Sequence, residues 1–515
     1  MRPLPPRLPL PGYERRRKEG LAELHCVRPA ATRMDAVARV CKLTRIGTAF
    51  LWLACLATPL ASQQRPNVLL ITVDDLNDWV GCLGGHPQAK TPNIDGLARR
   101  GVLFSNAHCA APLCNPSRTA FLFGKRPTTT GVVGNMDDWR KFDSLKSSES
   151  LPQFFRGNGY FTAGAGKIFH ANHGGWRGAL THAEGAPYAG RSGFGQPEAW
   201  DERFPAKTIQ LPMAPVLIDT HRNGIDHHWD WGPIDFKADV TEDGQSSRWA
   251  VRQLRADHDR PFFLAVGIYR PHDPQYAPSE YFDEHPLDDV ELPTILDSDL
   301  DDIPPIAKRY TRAANSYEAM IRKHNALQSA TRGYLASVTF ADAMIGRVLR
   351  ALDSSPYASN TIVVLLSDHG YHIGEKQKYH KSTLWEESTR VPLIVLAPGV
   401  SRRGGETRRA VSLIDIFPTL AELAALESPG DLDGESLVPL LRDPAAPRST
   451  PAVTTRQGRH HSLRTDRWRY IRYGDGSEEL YDHEADPMEW WNLAAEEAHS
   501  GTKRKLAADL SRLVD

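Results

Sequence analysis

The chain has 515 residues, of which 41% are hydrophobic and 24% charged. That balance provides a sizeable core and excludes a collagen, a coiled coil or a chain disordered throughout. Lys and Arg number 62 against 63 Asp and Glu, which excludes a nucleic-acid binder working through a general basic field, and six Cys are too few for a disulfide-dense scaffold.

The even charge hides an asymmetry. Residues 1–61 hold eleven basic residues and four acids, so the remainder is acidic and any anion site in it must be a local pocket. Residues 46–60 (IGTAFLWLACLATPL) follow Arg39, Lys42 and Arg45. A positive segment before a short apolar run reads as a secretory signal, too short for a membrane span. The expected location is secreted or periplasmic, with no stable span in the mature chain and processing near 61–64. Trp52 argues against Cys55 as a lipid-anchored cysteine, and Met34 opens a more ordinary signal than Met1 does. Three cysteines lie in this segment; Cys82, Cys109 and Cys114 remain, enough for one pair and one leftover thiol.

Beyond it, residues 67–73 (NVLLITV) form an apolar run of strand length, expected to be buried on both faces. Residues 91–100 start with Thr then Pro, a helix opening. A second strand is predicted over 102–107 and a helix over 116–122. Residues 262–266 (FFLAV), 361–366 (TIVVLL) and 391–397 (VPLIVLA) repeat the strand pattern. Apolar residues at helical spacing fill 331–352. Residues 172–250 carry Gly, Trp and His with little periodicity, read as either binding loops or a surface excursion. A helix near 415–425, a strand over 468–473 and a terminal helix follow. This alternation predicts an α/β fold: a large, mostly parallel or mixed central sheet flanked by helices, with a smaller C-terminal α+β subdomain. The expected division is a 1–61 extension, a 65–400 catalytic domain and a 401–515 subdomain. Ligands in such sheets sit beyond the strand carboxyl ends.

Asp74-Asp75 and Asp368-His369 close two of the predicted strands. Adjacent carboxylates repel unless a cation compensates, and a hard divalent ion such as Ca²⁺ accepts an irregular oxygen-rich set; solvated or capping roles are the alternative. Cys114 precedes a Pro-opened helix with Arg118 one turn in. A helix start favours anions and activates a thiol, although a plain buried cysteine fits the same pattern.

Residues 114–125 (CNPSRTAFLFGK) resemble the C-x-P-S-R-x-x-x-L-x-G signature of the type I sulfatases, of the alkaline phosphatase superfamily, with Phe123 where Thr is usual. The resemblance spans residues 65–515 and is closest to the iduronate-2-sulfatase-like branch, through RPNVLLITVDDLNDWVGCLGG, GKIFHANH, PFFLAVGIYRPHDP, SDHGYHIGEKQKYHKSTLW and ELYDHEADPMEWWNL. It implies that Cys114 is oxidised to formylglycine by a formylglycine-generating enzyme. It implies Asp74, Asp75, Asp368 and His369 as Ca²⁺ ligands, completed by residue 114. Arg118 would hold the formylglycine hydrate, Lys167, His170 and Lys381 would line the sulfate pocket, and His272 would contact sulfate or the leaving group. One hydroxyl of the hydrate attacks sulfur and the second expels sulfate. A sulfated sugar or polysaccharide is the implied substrate, with pocket specificity expected from 172–250, 135–139 and 371–379. A phosphonate or phosphate ester hydrolase, or an inactive binder of sulfated glycans with Cys114 unmodified, are the alternative readings.

Overall fold

The computed structural model describes residues 65–170, 195–204, 230–311 and 317–515. The signal segment and its cysteines, and Trp176 and His227–Trp229 of the aromatic-rich stretch, lie outside them. No helix among the described residues is long and apolar enough to cross a membrane.

The strand Asn67–Val73 (β1) is buried along its whole length. Its side chains alternate between two apolar layers, as a strand's twofold period requires. Leu69, Ile71 and Val73 join one core with Leu97, Trp249, Leu335 and Ile345, while Val68 and Leu70 join the other with Phe121, Leu122, Phe417 and Leu420. The first layer is covered by helices Pro92–Ala98 (α1), Glu242–Arg255 (α3) and Leu327–Asp353 (α4). The second is covered by Cys114–Phe123 (α2) and Ile416–Leu423 (α5).

The sheet between them has eight strands. Val102–Phe104 (β2), Phe161–Gly166 (β3), Glu202–Phe204 (β4), Phe262–Ile268 (β5), Thr361–Ser367 (β6), Leu393–Leu396 (β7) and Gly405–Thr407 (β8) join β1 in the order β8-β2-β7-β6-β1-β5-β3-β4. Within it only β7 runs against its neighbours. The register aligns Val73 with both Ser367 and Ile268, and Gly166 with Gly267. Four neighbouring parallel strands therefore end along one edge, the geometry that places functional loops together in such sheets. Gly166 (φ 72°) and Gly267 permit the closest approach there: a Cβ on Gly166 would lie 1.9 Å from the Gly267 carbonyl oxygen.

The strand predicted over 102–107 breaks after Phe104, and Ala107–His108 pairs elsewhere, with Val411–Ser412. The helix α3 begins inside the low-periodicity stretch, where the sequence predicts no helix. Its inward face mixes Trp249 and Leu254 with buried Gly244, Ser246 and Ser247, small polar residues that blur an apolar stripe. Ser247 instead meets Met344 of α4 at 3.5 Å. A second, four-stranded antiparallel sheet comprises Ala452–Arg456 (β9), His460–Arg464 (β10), Trp468–Arg472 (β11) and Glu478–Asp482 (β12), with the terminal helix Ser500–Val514 (α6) against it. Residues 405–441 pack with the large sheet, because β8 pairs with β2, and α5, Leu440 and Leu441 belong to its core.

His285 is buried against α4, its Nε2 2.8 Å from Thr339 Oγ1. Burial lowers its pKa from 6.5 to about 4. Below pH 6.5 the unfolded chain protonates a ring that the native state keeps neutral, so this contribution to stability is lost as pH falls toward 4. His285→Gln removes that linkage. Thermal scans across this window should give a shallower loss of Tm for H285Q than for the wild type; parallel curves would refute the assignment.

Candidate active site

β1 and β6 end side by side, which brings Asp74-Asp75 against Asp368-His369. The turn is held in an unusual backbone: Asp75 sits at φ 64°, a conformation costing of order 1 kcal/mol or more for a non-glycine residue. Tyr334 of α4 stabilises it, its hydroxyl donating to the Asp75 carbonyl at 2.7 Å and accepting the Asn77 N–H at 2.9 Å. The Asp75 and His369 amides both donate to Asp368 Oδ1, at 3.2 and 3.0 Å.

The α2 helix delivers its first residue to this edge. The Asn115 amide donates to Asn135 Oδ1 at 3.0 Å, and its side chain donates to the Gly134 and Asp137 carbonyls. Cys114 is wholly buried, its sulfur 3.2 Å from both His369 Nε2 and Lys381 Nζ. One turn later Arg118 reaches Asp74 Oδ1 at 3.0 Å and Asp368 Oδ2 at 2.8 Å. Lys167, just past β3, pairs with Asp74, and Lys381 pairs with Asp75 at 2.6 Å. His170 lies beside Cys114 and helps lower the pKa of its thiol. His272, in the loop after β5, sets Nε2 3.9 Å from Asp74 Oδ2 and Nδ1 2.6 Å from the Asp273 carbonyl oxygen, which assigns the Nδ1 hydrogen to that bond. All ten residues singled out in the sequence thus meet at one edge.

Three carboxylates face three permanent cations here, all buried. Burial would push Asp74 up, but Lys167, then His272 and Arg118, hold it well below the usual range. Asp75, less fully offset, is raised by burial. Burial raises Asp368 to about 7 against the pull of Arg118. Burial opposes charge on His369, yet Asp368 and Cys114 lift it to about 9. Burial likewise disfavours a thiolate at Cys114, but Lys167, Lys381 and His369 override it and lower the thiol well below its ordinary value. By contrast burial drives Cys82 up to about 12 and leaves Cys109 a neutral thiol. Cys82, Cys109 and Cys114 are all unpaired, within the limit of at most one pair, and only the thiol in the cationic pocket is activated.

Asp74, Asp75, Cys114 and His369 each turn a donor atom to within 4.8 Å of the others. Asp75 Oδ2 is buried and makes no hydrogen bond, an orphaned acceptor of the kind a cation satisfies. With its Nδ1 3.0 Å from the Gly370 carbonyl, His369 offers Nε2 to the cluster. Asp368 stands beside this group, its oxygens already accepting from two amides and Arg118. In the 371–379 segment, Tyr371 and Tyr379 are core side chains: Tyr371 stacks on Tyr334 and meets the edge of Tyr379.

The segment carrying Lys381 is held from the C-terminal sheet, a role the sequence reading missed. Lys376, Gln377, His380 and Ser382 all take positive φ, so this segment needs external support. Arg469 of β11 donates to the Leu384 carbonyl at 3.1 Å and pairs with both Glu386 and Glu489. Glu489 accepts the Glu386 amide at 3.0 Å, and Trp385 Nε1 donates to Glu479 at 2.7 Å. The signal was present in the charge-rich ELYDHEADPMEWWNL, but pairing across this distance is not readable from spacing.

A buried activated side chain at a helix start, ringed by carboxylates and cations at a parallel-sheet edge, defines a hydrolase of anionic esters. The chain belongs to the sulfatase family: the sulfatase family model matches residues 66–426, and a model described as N-sulphoglucosamine sulphohydrolase, C-terminal, matches 374–515. It is a sulfuric ester hydrolase. A sulfatase of Formosa agariphila is 38% identical over 448 residues, covering 84% of this chain and 83% of that protein. Human iduronate 2-sulfatase is 31% identical over 440 residues, 75% of this chain and 76% of its own. Among solved structures, a 2-O GAG sulfatase superposes with a TM-score of 0.67 at 23% identity over 88% of this chain and 92% of its own. The phosphonate monoester hydrolase of Agrobacterium radiobacter superposes at 0.68 and 23% identity over 87% and 95%. Both share the alkaline phosphatase-like fold.

Removing one partner of a buried ion-pair network costs about 3–5 kcal/mol. Arg469→Met is expected to lose stability of that order, read as a lower denaturation midpoint, because Glu386 and Glu489 lose the guanidinium that bridges them. Unchanged stability would show that the network does not brace the Lys381 segment.

Proposed function

We propose that this sulfatase acts through formylglycine formed from Cys114, with one Ca²⁺ beside it, and removes sulfate from a sulfated sugar or polysaccharide. The observation that carries the reading is the surroundings of Cys114: an activated side chain within 3.2 Å of Lys381 and His369, in contact distance of a donor set with an orphaned carboxylate oxygen. The chemistry of that set fits the pair of groups. Ca²⁺ favours oxygen donors and takes a thiol poorly; exchanging sulfur for oxygen at position 114 makes the set oxygen-rich. Asp74, Asp75 and His369 would hold the ion with residue 114, and Asp368 would support them. When present, the hydrated aldehyde supplies one hydroxyl to accept the sulfuryl group and a second to release it, and the ion polarises the oxygens around it.

The remaining chemistry belongs to the chain. Arg118, Lys167 and Lys381 are fixed by their carboxylate partners, so their positive charge meets the sulfuryl oxygens without reorganisation. His272, with Nδ1–H held on the Asp273 carbonyl, is oriented to hold at Nε2 the proton that the leaving oxygen takes up. His170 sits against residue 114, placed to take a proton from its side chain. The burial of this whole cluster excludes bulk water from the charges. Phe123, where the resemblance expects Thr, is a core residue packed on Trp139 at 5.1 Å, so its substitution is compatible with the helix. We read the 1–61 segment as a secretory signal, the mature enzyme as secreted or periplasmic and not anchored through Cys55, and a formylglycine-generating enzyme as its maturation partner.

Protein made with that maturation enzyme should carry an aldehyde in place of the thiol in the peptide spanning Cys114, read by mass spectrometry; a thiol throughout would overturn the reading. Cys114→Ser lacks a second hydroxyl. It is expected to accumulate one covalent sulfate and stop, whereas steady turnover of an aryl sulfate by this variant would refute the mechanism. Removing the ion with a calcium-selective chelator is expected to lower kcat on the order of 100-fold, since several kcal/mol of charge stabilisation goes with it. Re-addition of Ca²⁺ should restore it; full activity in the chelated protein would exclude the ion.

A further inference from the structure

Asp273 follows His272 in the loop after β5 and is 5% exposed. Its carboxylate lies within 4.8 Å of Asp75 and His272 donor atoms, inside the site rather than beneath it. None of the roles derived above uses it. His272 Nδ1 is already bonded to the Asp273 backbone carbonyl at 2.6 Å, while the side-chain Oδ1 stands off at 3.6 Å. His380 Nε2 is 3.8 Å away, also beyond a hydrogen bond. Asp273 Oδ1 is buried and has no hydrogen-bond partner. A buried carboxylate oxygen left unpaired is costly, and native structures keep one where a ligand completes it. Lys381, whose charge Asp273 feels, is engaged by Asp75 at 2.6 Å and by Cys114. Beside Asp273, Tyr317 packs on the His380 ring with centroids 4.8 Å apart, an aromatic surface of the kind that receives a sugar face.

Taking the sulfatase reading as given, we propose that Asp273 is a specificity-determining residue for the alcohol half of the ester. Its free oxygen accepts a hydrogen bond from a hydroxyl of the sulfated sugar, next to the oxygen that leaves past His272. Its negative charge, in this buried setting, rejects a sugar bearing a carboxylate at that place. The substrate class is therefore a sulfated neutral sugar rather than a sulfated uronic acid. Like charges brought together at a recognition surface cost enough to exclude a competitor, and a site built to bond a hydroxyl discriminates strongly against its loss.

The test measures sulfate release by the matured, Ca²⁺-loaded enzyme from matched sulfated saccharides, a neutral hexose and a hexuronic acid, with 4-nitrophenyl sulfate as the sugar-free reference. The wild type is expected to favour the neutral sugar in kcat/KM. Asp273→Asn keeps the shape and an acceptor oxygen but removes the charge, so the ratio of neutral to uronate kcat/KM should fall by at least about 10-fold. Asp273→Ala removes the acceptor and should raise KM for the neutral sugar about 10-fold or more, with kcat affected less than KM. A wild type that prefers the uronate, or a ratio unchanged in D273N, overturns the proposal. D273N, isosteric with the native residue, decides the question even where the alanine variant fails to fold. Turnover of 4-nitrophenyl sulfate by the wild type reports on the sulfatase reading alone, so the failure of one is distinguishable from the failure of the other.

Discussion

The structure rests on a charge balance that would be unstable anywhere else in it. Asp74, Asp75 and Asp368 are brought together in buried positions because β1 and β6 are parallel neighbours with aligned ends. Three buried like charges are tolerable only with opposite charges fixed among them. Arg118, Lys167 and Lys381 arrive from three different segments, the α2 helix, the end of β3 and the loop after β6, and each is locked to a carboxylate. The anions thus recruit the cations, and the cations are then poised for an anionic substrate. The same network accounts for an activated side chain at residue 114, while two other cysteines of the chain stay inert.

Strand polarity does most of the positioning. In the order β6-β1-β5-β3, each strand leads to a candidate site residue at the same edge: His369, Asp75, His272 and Lys167. The glycine pair at the ends of β3 and β5 narrows the gap so that Lys167 follows directly. The helices contribute less by their faces than by their ends and single side chains. One is Cys114 at the start of α2, and another is Tyr334 of α4 bracing the strained Asp75 turn.

The sheet strands and the gathering of the candidate site residues at one edge were legible for a common reason. Strands such as NVLLITV and TIVVLL are buried on both sides and read as continuous apolar runs, and the polar residues that break those runs are the ones at the sheet edge. Where burial is achieved with small polar residues, as in Gly244, Ser246 and Ser247 of α3, the pattern disappears from the sequence although the packing is tight. The bracing of Lys381 by Arg469, Glu386 and Glu489 was also hidden. It joins residues more than eighty positions apart through charges that in sequence look like solvated surface. Asp273 was visible in RPHDP, but only the geometry shows that its oxygen lacks a partner.

The wholly enclosed position of Cys114 has a temporal consequence. Once α2 is seated and the 376–389 segment is locked by Arg469, the Cys114 side chain is buried in the folded site. Under the proposed maturation, oxidation therefore competes with chain closure. On that proposal the strand carrying Arg469, which is synthesised late, would limit how long residue 114 stays open to its modifier. Variants that fold faster would then be purer as proteins and poorer as catalysts.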